Sequence, residues 1–435
     1  MSAIDFWLAE HRQRAPGLPG ATLPWLSALR RQAIARFADE GWPSSHRENW
    51  HHTSLAFLNE HRLAAGPGPA PETIVARLRG NAPDGHWLVF VDGRFAPALS
   101  APGRLPAGAR IGSLADALHQ DGEAIAAVFG SAADGDSPAA LNAALAADGA
   151  WIRLARGVVV ELPIHLVFIG AGAAHHHLRN LIVTEAGTQA SIVEHYPAHG
   201  EGATLTTAVT RIQAGPDSRI GHLRLQHEGA NAIHLATVEA EQARGAAFAS
   251  HSLSFGARLA RHDIRTRFAG EGAEALLNGL YHADGSRHVD HHTLIDHASP
   301  RGTSREHYRG LLDGSARGVF AGRIVVAQDA QHTDAMQRCD NLLLSRQAEA
   351  DARPELEIYA DDVKCAHGAT VGQLDEDALF YLRARGVDAS HARQVLVAAF
   401  ASRVLEHIAE APLRRIGRDA LRTGLPGATE LEILP

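Results

Sequence analysis

Lysine is all but missing from this 435-residue chain: Lys364 is the only one, although arginine is abundant. Cysteine is nearly as scarce, with two residues, Cys339 and Cys365. Two thiols cannot build a disulfide framework, and free thiols fit a reducing cytosol. The opening MSAIDFWLAEHRQR has no apolar core of the kind a signal peptide carries, and no apolar run is long enough to cross a bilayer. No G-x-x-x-x-G-K-[ST] loop is present, so a P-loop nucleotide hydrolase is excluded. The formal charge is −8 with no long basic patch, which argues against nucleic acid as the main partner.

What is present is ordinary in bulk. Hydrophobic residues make up 45% and charged residues 21%, as in soluble globular proteins, and the length suits two or three domains. Histidine is the exception, at 28 residues, clustered as His175-His176-His177, His288, His291-His292 and His297. Neighbours in a strand point to opposite faces, so the triplet cannot converge on one metal. Most of these histidines are expected on solvent faces of a chain biased in composition.

Residues 1–75 read as an N-terminal helical domain. Trp25, Leu29, Ala33 and Phe37 recur on one face of a helix from Pro24 to Ala38, and Gly41-Trp42-Pro43 stops it. Trp50, within HRENWHHTSLAFL, reads as a packing anchor. A linker rich in Gly, Pro and Ala covers Ala64 to Pro71. Residues 76–150 read as a mixed linker region: a strand from His86, a turn at Asp92-Gly93, a short returning strand through Phe95, then alanine-rich helices to about Ala147.

From Trp151 the chain becomes a succession of short strand-like segments punctuated by glycine at intervals of 11 to 17 residues, between positions 215 and 314. No helix-length segment separates them, so a doubly wound α/β sheet is not expected. Strands wound one above another suit this pattern, and a β-sandwich is the alternative. After Gly372 helices return. Asp375 caps the first, with Gly386 at its end, and Val397, Phe400, Val404 and Ile408 stripe the second. Pro412 ends that helix, and Leu413 to Leu421 precedes a loose tail.

The most distinctive stretch is Glu357 to Gly372, EIYADDVKCAHGATVG. Cys365 and His367, at i and i+2 of a strand, share a face, and the small residues from Gly368 to Gly372 let another backbone approach. Together with VFVDGRFAPALS (89–100), HYRGLLDGSARGVFAGRIVVAQDAQHTDA (307–335) and NLLLSRQAEADARPELEIYADDVKCAHGATVG (341–372), this stretch resembles the SufD family, subunits of the Suf iron–sulfur cluster assembly machinery. Glu48, Trp50, Thr53 and Leu55 also resemble an element near the start of Suf proteins, with His51 and His52 where the family usually has a basic or aromatic residue.

The resemblance implies a mainly β fold: a right-handed parallel β-helix core at 151–374, flanked by N-terminal helices and a C-terminal helical domain at 375–435. It implies a cytoplasmic, non-catalytic scaffold subunit that pairs with SufB through the end of the β-helix. The C-terminal helices would recruit the ATPase SufC, and the isolated chain could form a homodimer. It also implies that His367, supported by Cys365, contacts transient iron or a nascent cluster shared with SufB, with nothing tightly bound in the lone chain. Spacing alone favours a buried cysteine near a structural histidine. Two donors do not complete a tetrahedral site, and no closely spaced cysteines are present to wrap a cluster by themselves.

Cys339, in QRCDNLLLS, departs from the SufD pattern towards the cysteine-bearing segment of SufB, and is a speculative further ligand close to Cys365. Asp361 and Asp362 face opposite ways and suit a turn rather than acid–base catalysis. A Cys365–His367 nucleophile pair has no sequence sign of an oxyanion hole. Two other functions stay open at this point: a SufB-like scaffold holding its own cluster, and a stand-alone His-rich metal-dependent enzyme.

Overall fold

The computed structural model describes residues 3–82 and 84–425. The loose tail expected after Leu421 lies, from residue 426 on, outside the described residues. Four strands precede the repeating part: β1 (His86–Val91), β2 (Arg94–Phe95), β3 (Ala109–Ser113) and β4 (Ala150–Leu154). The chain then alternates between two sheets. One takes β5 (Ile164–Ile169), β7 (Gln189–Tyr196), β9 (Arg219–Gln226), β11 (Ala247–Ser254), β13 (Glu274–Ala283), β15 (Thr303–Leu312), β17 (Asp334–Leu343) and β19 (Lys364–Gly372). The other takes β6 (His175–Thr184), β8 (Leu205–Ala214), β10 (Ile233–Gln242), β12 (Leu259–Phe268), β14 (His288–His297), β16 (Arg317–Val326) and β18 (Glu349–Ile358).

Each of these strands pairs in parallel with the one two places on, so the chain winds as a β-helix with one strand per sheet in every coil. The glycine-punctuated segments of the sequence are half-coils. Alternation sets what faces the lumen: on β16, Phe320, Ile324 and Val326 point in and are buried, and Arg323 between them is exposed. Stacked rungs bury a continuous core from Leu88 and Phe90 to Ala335 and Cys339.

The N-terminal helices are α1 (Ala3–Arg14), α2 (Pro24–Glu40), α3 (Pro71–Asn81), α4 (Leu114–Phe129) and α5 (Ser137–Leu145). The C-terminal ones are α6 (Glu376–Ala384), α7 (Ala389–Glu406) and α8 (Ala411–Gly424). Helices α2, α4 and α5 cover outward residues of the sheet that ends in β18, such as Leu181, Leu205 and Ile233. Helices α3, α7 and α8 cover outward Leu223, Leu253, Leu280 and Leu311 of the other sheet. Full burial of each such leucine contributes about 1.5–3 kcal/mol.

Several boundaries differ from the sequence expectations. Residues 41–70 hold only short 3-10 turns, and α3 straddles the expected 75/76 division. The buried stripe of α2 runs through Leu26, Leu29, Ala33 and Phe37, with Trp25 partly exposed at its side. Pro412 stands in the first turn of α8 rather than at the end of α7. The β1–β2 hairpin, with Asp92 (φ 50°) and Gly93 (φ 74°) at the turn, belongs to the core: β1 pairs with β5 over its whole length. All six of its residues are apolar except His86, which suits a strand covered on both faces. Helices α7 and α8 lie along the side of the β-helix and leave its last coil uncovered, so they do not cap it. No helix among the described residues is long and apolar enough to cross a membrane.

Candidate functional site

Among the described residues the β-helix ends on two free edges, β18 in one sheet and β19 in the other. Register fixes which residues of β19 continue the lumen. Cys365 lies over Ala335, His367 over Gln337, Ala369 over Cys339 and Val371 over Asn341, and all four lower partners are buried. Cys365 and His367 therefore share the lumen-facing side, as their i, i+2 spacing requires. With no coil above, Cys365 is half-buried and His367 is exposed. The end is also apolar at its rim: Tyr359 is 63% exposed, Val371 51% and Ile358 40%.

Asp361 and Asp362 occupy the turn between β18 and β19. Asp362 is held there by His332, whose Nδ1 lies 3.0 Å from its Oδ2 and whose backbone N–H donates to its carbonyl at 2.7 Å. Burial raises the Cys365 thiol above its ordinary pKa. Among the described residues no three His, Cys, Asp or Glu side chains converge closely enough to hold a metal. Cys365 and His367 thus amount to two donors on an open edge, which need others from outside the chain.

Cys339 does not lie close to Cys365. It is on the neighbouring strand, as expected, but the register sets it opposite Ala369, four residues along from Cys365, or about 13 Å. It is fully buried, and burial pushes its thiol up to about 12. Asn341 Nδ2 donates to its sulfur at 3.4 Å. A neutral, enclosed thiol of this kind packs as a small apolar side chain and binds iron poorly.

The lumen itself is unexpectedly polar. Glu194 accepts from Thr210 at 2.5 Å and from Tyr196 at 2.9 Å, and His222 lies 3.5 Å away. Burial alone would raise this carboxyl, but these partners outweigh it and hold it at about 2. Above it sit Arg224, His262 and His291, all buried, and burial lowers His291 to about 3. Higher still, burial pushes Glu306 up to about 7, and Gln337 Nε2 donates to its Oε2 at 2.5 Å. Almost half of the 28 histidines are buried, which corrects the expectation of solvent-facing ones. In the triplet, His176 points inward to Thr206, while His175 and His177 pair outside at 3.2 Å beside Trp7. Alternation groups each of these polar residues with apolar ones on the same face, such as His222 with Ile220, but apolar Leu223 and Leu225 on the other face leave open which face is the lumen.

Trp50 is a packing anchor. Its Nε1 donates to Asp136 at 2.9 Å, and Arg261 stacks on its ring at 3.7 Å. Arg261 is buried between Asp263 and Asp290, and Thr53 donates to Asp290. The segment from Glu48 to Thr53 so straps the N-terminal region across β12, β14 and β18, where Glu48 meets Arg353.

Two family models match: "SufBD protein N-terminal region" over residues 11–166, and "SUF system FeS cluster assembly, SufBD core domain" over residues 167–400. The iron–sulfur cluster assembly protein SufD of Escherichia coli is 30% identical, over 91% of this chain and 92% of its own length. An iron–sulfur cluster assembly SufBD family protein of Synechocystis is 31% identical over 86% and 85%, and a chloroplastic Arabidopsis thaliana protein, ABCI7, 27% identical over 94% and 87%.

Proposed function

We propose, for a chain that belongs to the SufBD family of iron–sulfur cluster assembly proteins and is a homologue of SufD, a role as a non-catalytic scaffold subunit that pairs with SufB and SufC in the cytoplasm. One observation carries the reading: the last coil is an open, apolar-rimmed end whose lumen-facing column includes a thiol and an imidazole, Cys365 and His367. An exposed strand edge beside exposed Tyr359 and Val371 suits docking of a second β-helix, SufB in this reading. His367 and Cys365 would then lie at the contact, where donors from the partner complete coordination of iron or a nascent cluster as cargo.

A neutral imidazole suits cargo that must be released, since it holds iron less tenaciously than an enclosed thiolate. Cys339 is left out of the ligand set because it is enclosed and stays protonated. Helix α6 supports the SufC contact: it buries only Leu379, while Phe380 is 73% and Tyr381 56% exposed. The test is co-expression of the chain with SufB and SufC and recovery of all three on one tag. The reading expects a stable heterocomplex. A chain that purifies alone while SufB and SufC purify together would overturn it. A chain that holds stoichiometric metal by itself would favour a free-standing metalloprotein instead.

A further inference from the structure

We propose that Glu306 and Gln337 form a buried relay that positions the His367 imidazole at the last coil; this deepens the reading of His367 as a cargo ligand and rests on it. Parallel register stacks the three residues in one lumen-facing column, Glu306 on β15, Gln337 on β17 and His367 on β19. Glu306 is 0% exposed and Gln337 1%. The Gln337 Nε2 donates to Glu306 Oε2 at 2.5 Å, which fixes the amide end for end. The amide's other end, Oε1, is a buried acceptor without a donor. A buried carbonyl left this way costs free energy unless a hydrogen bond meets it.

Across the lumen the space for this amide is made by Gly322 of β16. A Cβ at that position would stand 2.1 Å from Gln337 Nε2, so any other residue would displace the side chain. The next residue in the column is His367, whose ring carries an N–H; the bond to Oε1 is not made in the open last coil, and a turn of the exposed imidazole about its side-chain torsions would make it. A histidine that binds a cation through one ring nitrogen characteristically donates the other N–H to a carbonyl or carboxylate. That bond fixes its tautomer and ring orientation, and losing it weakens metal binding by about 10- to 100-fold. Gln337 Oε1 is such an acceptor, and Glu306 is the group that turns it towards the last coil.

The experiment reads the ring nitrogens of His367 by nitrogen-15 NMR of the full chain, with its signals identified by their loss in His367→Asn. In the wild type the ring is expected in a single tautomer. In Gln337→Met, of similar size and without the acceptor, the shifts should move to those of a freely exchanging histidine. Gln337→Glu keeps an acceptor oxygen and should restore the single tautomer. Mixed tautomers in the wild type, or a single tautomer unchanged in Gln337→Met, would overturn the relay. Should Gln337→Met fail to fold, Glu306→Met, one rung further from the open end, is read the same way. A second arm titrates ferrous ion against a chromophoric chelator in the co-expressed complex with SufB and SufC, where the partner supplies the remaining donors: the Gln337→Met complex should bind about tenfold more weakly than the wild type. The tautomer arm needs neither partner nor iron. A fixed tautomer with no iron binding by the complex would therefore sink the ligand assignment alone, and a free tautomer with iron binding by the complex would sink the relay alone.

Discussion

The closed coils and the last coil are built from the same alternation of side chains, yet they differ in every physical respect that matters for function. At β15 and β16 the lumen-facing Tyr308, Phe320 and Ile324 are sealed by coils on both sides. At β19 the equivalent positions are Cys365, His367, Ala369 and Val371, with nothing above them among the described residues. A repeat protein whose terminal unit carries no cap keeps an edge of unpaired backbone that invites another chain. The C-terminal helices repeat the contrast. Helices α7 and α8 spend their apolar residues on the side of the β-helix, and α6 leaves Phe380 and Tyr381 in solvent.

The largest effect expected from breaking this contrast is on stability. Phe320→Ala in a sealed coil should cost about 3–5 kcal/mol, and Val371→Ala in the open coil less than about 0.5 kcal/mol. Urea unfolding of the isolated chain measures both, and equal losses would mean that the last coil is not open. Next comes Glu306, which faces Gln337, Thr293, Tyr308 and Cys339. Its carboxyl titrates at about 7 when folded against 4.5 as a free side chain. Between those values the unfolded chain has lost this proton and the folded chain keeps it, so stability falls as pH rises through the window and levels off above it. Glu306→Gln should lack that fall, a difference from wild type of roughly 2–3 kcal/mol between pH 5 and pH 8. Parallel pH profiles would contradict the assignment.

A smaller stability effect, with a larger one on binding, is expected at α6. Deleting everything after Gly372 would strip α7 and α8 from Leu223, Leu253 and Leu280 and so confuse docking with unfolding. The double variant Phe380→Ala, Tyr381→Ala leaves those contacts alone. It should unfold within about 0.5 kcal/mol of the wild type and lose SufC in a pull-down; undiminished SufC binding would remove α6 from the interface. The smallest change is chemical. A thiol reagent should modify Cys365 in the native chain and reach Cys339 only after denaturation, and equal native rates would show that the lumen is not sealed at β17.

Much of this was legible in the sequence. The Asp92-Gly93 hairpin, the long run of short strands, the Asp375 cap and the shared face of Cys365 and His367 all follow from local rules of turn chemistry and period-2 alternation. What escaped is what depends on stacking. Whether His222 or His291 faces solvent or lumen is decided by the coil above it, which no local window contains. For the same reason β1, from outside the expected core, joins it through pairing with β5, and Cys339 and Cys365 are set apart by register although their strands are neighbours.

The central claim is that His367, at the uncovered end, supplies a ligand for iron or a nascent cluster handled with SufB. The most direct measurement is the iron and sulfide content of the co-expressed complex with SufB and SufC, purified without oxygen, for the wild type and His367→Ala. Removing an exposed imidazole leaves no cavity, so the variant should fold and assemble normally while its iron and sulfide fall sharply. Wild-type iron and sulfide in an intact His367→Ala complex would contradict the claim and leave His367 as a surface residue of the last coil.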